Sequence, residues 1–519
     1  MHACHGPRKD AVRIAVADRH VAVADTCRHL MAAARVPAAG SSARRQPCIM
    51  AVPLSLTTLA PPAPPTVVPR QATSLEIPIG ELLGALSHAL DLTEGAPAGH
   101  TLRSCLIAMR IADMIGLGSD DRTALYYAML LKDAGCSSNA ARITALFGTD
   151  DHAVKPRMKI VDANKRIRLA VETFRSAGGN HGLRSRISHF IGIARGDHVT
   201  RELIAIRCER GANIARQLGF PEATCSAIRS LDEHWNGNGH PEGLRECAIP
   251  LLSRIANLAQ TMDIFLGAHG VDATMRMLKD RRRTWFDPQL SDLVLKWRRD
   301  AEWWAWLRES APEVEVSALE PREPQRLVRS TGLDLVAQSF ADIVDAKSPF
   351  TYRHSTNVSR WARALGAKFF TDEDELTRLS RAGLLHDVGK LGVSNTILDK
   401  NGPLFDGERA AMQAHPVHTW EILRRVRVFS DFARIASLHH EKLDGSGYPW
   451  NVPAEGLDLQ SRILIVSDIF EALTADRPYR AGMPIKTALA LLEKDRGKKL
   501  DADVLDALAV AVTEMPLNA

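Results

Sequence analysis

Along most of the chain apolar residues recur every three to four positions, the spacing of helices that bury one face. Leu376, Leu379, Ala382, Leu384 and Leu385 form one such stripe, and comparable stripes run through 74–310 and 327–519. β-Branched runs are short while Ala, Leu and Arg abound, so the pattern predicts an all-α protein. Two stretches interrupt it. Residues 1–72 are rich in Ala, Arg and Pro and end in APPAPPTVVP, a composition that cannot hold a packed core and predicts disorder. The Pro- and Glu-rich ESAPEVEVSALEPREPQ (309–325) predicts a linker at 311–326 between two helical domains, 74–310 and 327–519. Just before it, Trp297, Trp303, Trp304 and Trp306 fall at helical spacing, as in a packing helix at a domain interface.

Bulk properties narrow the function classes. A chain of 519 residues exceeds one ordinary core, which again predicts two or three domains. The formal charge of +5 is small and dispersed, giving no argument for a nucleic-acid polymer as partner. Eight cysteines without C-x-x-C spacing read as reduced core residues, not a disulfide framework or a zinc site. No apolar run reaches the roughly 18 residues that span a bilayer, so a soluble cytoplasmic protein is expected. The Arg-rich, Glu-free first fifty residues resemble a transit peptide, but Met50 as the true start is the preferred reading.

Chemistry concentrates in the last third. His386 and Asp387 stand side by side at the end of an apolar stripe, a costly place for ionisable groups without partners. Taken alone they would be an ion pair or a helix cap. They are accompanied, however, by His354, His415, the pair His439–His440, and Asp468, each on or beside a predicted helix. Imidazole with carboxylate is the ligand set of Fe, Mn or Zn, and one carboxylate can bridge two ions. Two divalent ions, two carboxylates and a bridging hydroxide leave a net charge of about +1, suited to a phosphodiester. Lys390, one turn beyond His386, is placed to stabilise the non-bridging oxygens.

The order H…HD-x-G-K…HP…HHE-x-x-D-G-S-G-Y-P…D…R-P-Y-R over about 331–510 resembles the HD-GYP family, a branch of the HD phosphohydrolases that cleaves cyclic di-GMP. The resemblance implies two divalent ions, iron or manganese. One would be held by His354, His386, Asp387 and Asp468; the other, bridged by Asp387, by His415, His439 and His440. It further implies that Lys390 meets the scissile phosphate, that Tyr448, Arg477 and Arg480 line the nucleotide pocket, and that the product is linear pGpG, with GMP the product of any further cleavage. Another cyclic dinucleotide or nucleotide as substrate, or a receptor without turnover, are the competing readings. Two departures stand out. Phe350 occupies the place of a glutamate found in three-metal members, which favours two ions, and Ser394–Asn395 replaces the usual Pro-Asp, from which only a local loop effect is expected.

The first helical domain reads as a damaged copy of the second. A shift of 254 positions carries His354 onto His100 and His386–Asp387 onto Lys132–Asp133; a shift of 208 carries HEKLDGSGYP onto DEHWNGNGHP. The change of offset predicts a helical insertion at about 134–207. The counterparts of the seven ligands are then His100, Lys132, Asp133, Arg207, Leu231, Asp232 and Gln260, with Cys136 in place of Lys390. Most cannot ligate, and Lys132 is expected to neutralise Asp133; Asp263, near Gln260, is the one hint of a residual site. Such a half could form a homodimer interface, dock a signalling partner or bind a small ligand, and the sequence does not choose among these.

Overall fold

The computed structural model describes residues 63–66, 77–160, 197–322, 327–328, 330–476 and 481–514. The predicted disorder of 1–72 and most of the predicted insertion lie outside these residues. The fold is all-α apart from two short strands, β1 (Ile77–Pro78) and β2 (Leu327–Val328).

The principal helices of the first half are α1 (Ile79–Glu94), α2 (His100–Ile115), α3 (Ser119–Leu131), α4 (Asp151–Ile160), α5 (Asp197–Gln217) and α6 (Leu251–Arg281). Those of the second half are α7 (Ser330–Asp345), α8 (His354–Gly366), α9 (Glu373–Leu385), α10 (His415–Leu423), α11 (Ser430–Ser437) and α12 (Leu459–Thr474). Their ends follow local chemistry. Asp372 caps α9 by accepting from the Asp374 N–H, with Glu373, Asp374 and Glu375 in its first turn; Asp458 caps α12 by accepting from Ser461. α8 packs against α9 and α12 as α2 packs against α3 and α6.

From residue 61 onward the chain forms one compact unit, and one continuous apolar cluster spans both halves. The strands that precede α1 and α7 pair antiparallel, with Ile77 opposite Val328 and Pro78 opposite Leu327. α1 packs against the 3-10 turn Val388–Gly392 of the second half, and α7 against the corresponding turn Cys136–Asn139 of the first. This reciprocal exchange is the arrangement a local two-fold would produce.

The stretch expected to be a linker is in part folded. Pro312 opens a helix, Pro312–Ala318, which buries Val316. Buried Glu320 accepts from the Gly80 N–H (2.8 Å) and the Tyr127 hydroxyl (3.2 Å), tying the segment to α1 and α3. Proline at a first helical turn favours helix, and apolar Val316 with a satisfied carboxylate outweighs the composition that suggested a break. The tryptophans pack on the first half rather than between the halves: the Arg110 guanidinium sits 4.4 Å from the ring centres of both Trp297 and Trp303.

Candidate metal centre

α9 ends at Leu385, so His386 and Asp387 lie on the turn that follows it. Gly389 lets this turn approach α10: a Cβ there would stand 2.0 Å from the carbonyl oxygen of His415. The Thr419 hydroxyl clasps the two segments, accepting from the Gly389 N–H (3.0 Å) and donating to the His386 carbonyl (2.8 Å). His386–Asp387 and His415 are thereby brought together across thirty residues of sequence. α8 supplies His354 at its first position, the end of α11 supplies His439 and His440, and the middle of α12 supplies Asp468.

All seven predicted ligand residues converge. One Asp387 oxygen, Oδ2, lies 3.5 Å from His354 Nε2 and 3.3 Å from His386 Nε2; the other, Oδ1, lies 3.5 Å from His415 Nε2 and 3.7 Å from His439 Nε2. Asp468 Oδ1 is 3.3 Å from His354 Nε2, and its Oδ2 is 3.9 Å from His440 Nδ1. One carboxylate therefore faces two ligand sets, the disposition of a bridge.

The donor atoms suit cations. His386, His415 and His439 each direct Nδ1 at a backbone carbonyl, of Gly383 (2.8 Å), Met412 (2.7 Å) and Ala436 (2.7 Å). With Nδ1 donating, Nε2 of each ring presents a lone pair inward. The Nε2 atoms of His415 and His439 are 3.1 Å apart, two lone pairs facing each other, and buried His386 Nε2 and Asp387 Oδ1 have no hydrogen-bond partner. Such a set is unfavourable by itself and is satisfied by positive ions.

The electrostatics distinguish the two sets. Burial lowers the affinity of His415 and His440 for protons, and brings His439 down to about 4, so these rings are neutral, as ligands must be. Burial also opposes charge on His354, but Asp387, Asp468 and Glu471 outweigh it and hold the ring well above its ordinary pKa. Burial disfavours charge on Asp387, yet His386 and Lys390 keep it ionised well below the usual carboxylate range.

Lys390 Nζ is 2.5 Å from Asp387 Oδ2 and partly exposed, so it stands between the centre and solvent. The Tyr448 ring stacks on His440, centroids 4.7 Å apart. Arg477 and Arg480 lie outside the described residues. Three carboxylates not singled out in the sequence support the centre. Glu471 bonds His354 Nδ1; Asp345 accepts from the Ser355 N–H and hydroxyl; and fully buried Glu441 accepts from the N–H groups of Trp450 (2.8 Å) and Val452 (2.9 Å), folding the Gly447–Tyr448–Pro449 loop back on itself. Glu471 stands one turn after Asp468 on α12, a spacing that could have pointed to it.

The first half repeats this framework with different contents. A Cβ on Gly135 would meet the Arg207 carbonyl at 2.0 Å, as one on Gly389 would meet that of His415. Asp91 accepts from the Thr101 N–H and hydroxyl, and Glu233 from the N–H groups of Glu242 and Gly243, as Asp345 and Glu441 do. At the centre, Lys132 pairs with Asp133 and lies 3.3 Å from His100 Nε2, while Arg207 pairs with Asp232. Asp263 is no remnant of a ligand. It bonds His100 Nδ1 (2.8 Å) and Arg103 (2.8 Å), so it corresponds to Glu471. Glu94, Asp133 and Cys136 also approach one another, but Lys132, Lys155 and Arg207 crowd them and supply the positive charge that an ion would.

The halves meet close to the candidate centre. Asp151 of α4 accepts from the Asn395 N–H (3.2 Å), and Lys347 joins His152 Nε2 (3.1 Å) to the Leu391 carbonyl (2.8 Å). Ser394–Asn395, expected to have only a local effect, is thus a contact between halves. Asn395 also donates to the Lys347 carbonyl (2.8 Å) and to Asp399 (2.7 Å), bonds that a carboxylate could not make.

No helix among the described residues is long and apolar enough to cross a membrane. The HD domain family model matches residues 193–290 and 338–504. The chain is 41% identical over 442 residues, 85% of its length and 95% of the relative's, to 3'3'-cGAMP-specific phosphodiesterase 3 of Vibrio cholerae. It is 38% identical over 163 residues, 31% of its length and 42% of the relative's, to the cyclic di-GMP phosphodiesterase response regulator RpfG of Xanthomonas campestris. The crystal structure of a cyclic GMP-AMP specific phosphodiesterase of V. cholerae covers 85% of this chain and 99% of its own, at TM-score 0.60 and 36% identity. With two histidine–carboxylate sets sharing Asp387 and matches over most of its length, this chain belongs to the HD domain family, as a metal-dependent phosphohydrolase of the HD-GYP type.

Proposed function

We propose that the second half hydrolyses a 3'3'-linked cyclic dinucleotide at a centre of two divalent ions, iron or manganese. The observation that carries this reading is Asp387, whose two oxygens face separate histidine sets with inward lone pairs. His354, His386, Asp387 and Asp468 would hold one ion, and His415, His439, His440 and Asp387 the other. When bound, such ions supply an activated water and neutralise phosphate charge. Lys390, at the solvent side of Asp387, meets a non-bridging oxygen of the scissile phosphate and stabilises charge that builds up there. Glu471 fixes the tautomer and orientation of His354. Tyr448 braces His440 and closes one wall. Water attacks phosphorus in line with the leaving 3'-oxygen; one P–O bond breaks and a linear dinucleotide leaves.

Cyclic GMP-AMP is the first substrate to test, because the relative that matches across both halves is named for it. Cyclic di-GMP is the second, since relatives with shorter matches carry that name. The experiment is hydrolysis of both by the full chain loaded anaerobically with Mn²⁺ or Fe²⁺, with metal content measured in parallel. We expect about two ions per chain, turnover of at least one dinucleotide, and loss of turnover and of both ions in Asp387→Ala. Turnover surviving that change refutes the site. Two bound ions without cleavage of either dinucleotide refutes the substrate class, and absence of metal favours a receptor.

A further inference from the structure

Two residues immediately ahead of His354 have no role in the centre as described. Arg353 is exposed and its backbone is left-handed, φ 56° and ψ 11°, a region disfavoured for a residue that carries a Cβ. The first half makes the same turn with Gly99, φ 77° and ψ 9°, directly before His100. Glycine adopts that conformation without penalty, so the fold asks only for the backbone shape. Tyr352, 80% exposed, stands where the first half has exposed Ala98. The half that keeps its candidate ligands thus carries an aromatic ring and a guanidinium where the half that lost them carries alanine and glycine. Among the described residues neither the Arg353 guanidinium nor the Tyr352 hydroxyl has a hydrogen-bond partner.

In the chain they stand between the turn Pro349–Thr351 and His354. Phe350 and Thr351 of that turn line a cavity of about 170 Å³ together with Lys390 and Met412, and Arg353 directly precedes His354, whose Nε2 faces Asp387 and Asp468. A cyclic dinucleotide has a second phosphate and second base beyond the diester being cleaved. A planar guanidinium suits phosphate oxygens or the O6/N7 edge of guanine, and an exposed tyrosine ring suits base stacking.

We infer that Tyr352 and Arg353 form a clamp on the nucleotide unit that is not cleaved, with Arg353 bonded to its phosphate and Tyr352 stacked on its base. The inference rests on the reading of the centre as a cyclic dinucleotide phosphodiesterase. The clamp acts on affinity and leaves the metal chemistry to the centre.

The test uses the full chain loaded with Mn²⁺ and compares Arg353→Gly, Arg353→Lys and Tyr352→Ala on 3'3'-cyclic GMP-AMP, cyclic di-GMP and bis(4-nitrophenyl) phosphate. The last is a diester with neither second phosphate nor base. Arg353→Gly raises KM for the dinucleotide about 10- to 100-fold, with kcat within about twofold. It leaves bis(4-nitrophenyl) phosphate turnover unchanged and Tm unchanged or slightly higher, because glycine relieves the turn. Arg353→Lys, which keeps the charge without the fork, falls between wild type and Arg353→Gly, and Tyr352→Ala raises KM about 5- to 100-fold. An unchanged KM in Arg353→Gly overturns the clamp, as does an equal loss on all three substrates, which would make the turn only a support for the metal ligands. If wild type itself cleaves the nitrophenyl diester but neither dinucleotide, the dinucleotide reading falls and takes the clamp with it. That failure is visible in wild type, whereas failure of the clamp alone appears only in the variants.

Discussion

Asp133→Ala separates the two halves most sharply, because Asp133 corresponds to Asp387, the proposed bridge, yet serves a different partner. Lys132 and Asp133 are 4% and 2% exposed and in direct ionic contact. Removing the carboxylate leaves a buried ammonium whose nearest remaining acceptor is His100 Nε2 at 3.3 Å. Stranding one partner of a buried pair costs about 3–5 kcal/mol. Against a typical total of about 5–15 kcal/mol, that is a hundredfold to several-thousandfold loss in the folding equilibrium. Urea unfolding followed by circular dichroism reads it as a lower midpoint. Lys132→Met combined with Asp133→Ala removes both charges and should recover most of the loss. In native buffer the folded single variant should retain wild-type kcat on the cyclic dinucleotide and its full metal content. Wild-type stability of Asp133→Ala refutes the ion-pair reading. A normal fold with lowered metal content or kcat makes the first half a working centre, contrary to the account above.

Three further outcomes follow from particular contacts. Glu471→Gln keeps the shape but weakens the hold on His354 Nδ1, and should lower metal affinity about 10- to 100-fold by titration calorimetry; unchanged affinity would leave Glu471 without a role in the centre. Gly389→Ala forces a Cβ to within 2.0 Å of the His415 carbonyl, so it should separate the two ligand sets and abolish turnover, an effect visible as loss of metal. Burial lowers Lys347 to about pH 7, with Asp151 opposing, so between about 7 and 10.5 the unfolded chain binds more protons than the native one. Wild-type stability relative to Lys347→Met should therefore rise as pH goes from 7 to about 10, and a flat difference in urea midpoints would refute a proton lost on burial.

The contact of α4 with Asn395 and Lys347 gives the first half a mechanical connection to the turn that carries Lys390. Neither Asp151 nor His152 belongs to the repeat, since both lie in the stretch where the offset changes. They were therefore invisible to any comparison of the two halves. Their contacts with the second half reach residues 195 and 244 positions away, and no local pattern records such a pairing.

By itself the sequence determined the helical class, since a 3.6-residue apolar period has no other economical solution. It also determined the candidate ligand set and the degeneracy of the first half. Histidine and aspartate at apolar helix ends demand compensation, and the substitution of Lys132, Arg207 and Leu231 at matching positions removes ligand chemistry whatever the packing. Only the tertiary structure decided which oxygen of Asp387 faces which histidine, that Asp263 corresponds to Glu471, and that 311–326 is partly folded rather than a free linker. It also decided that the halves form one core instead of two. The physical reason is the same in each case. Periodicity and residue type state what a side chain needs, but hydrogen bonds and ion pairs are short-ranged, and the partner that meets the need is chosen by helices brought together from distant parts of the chain.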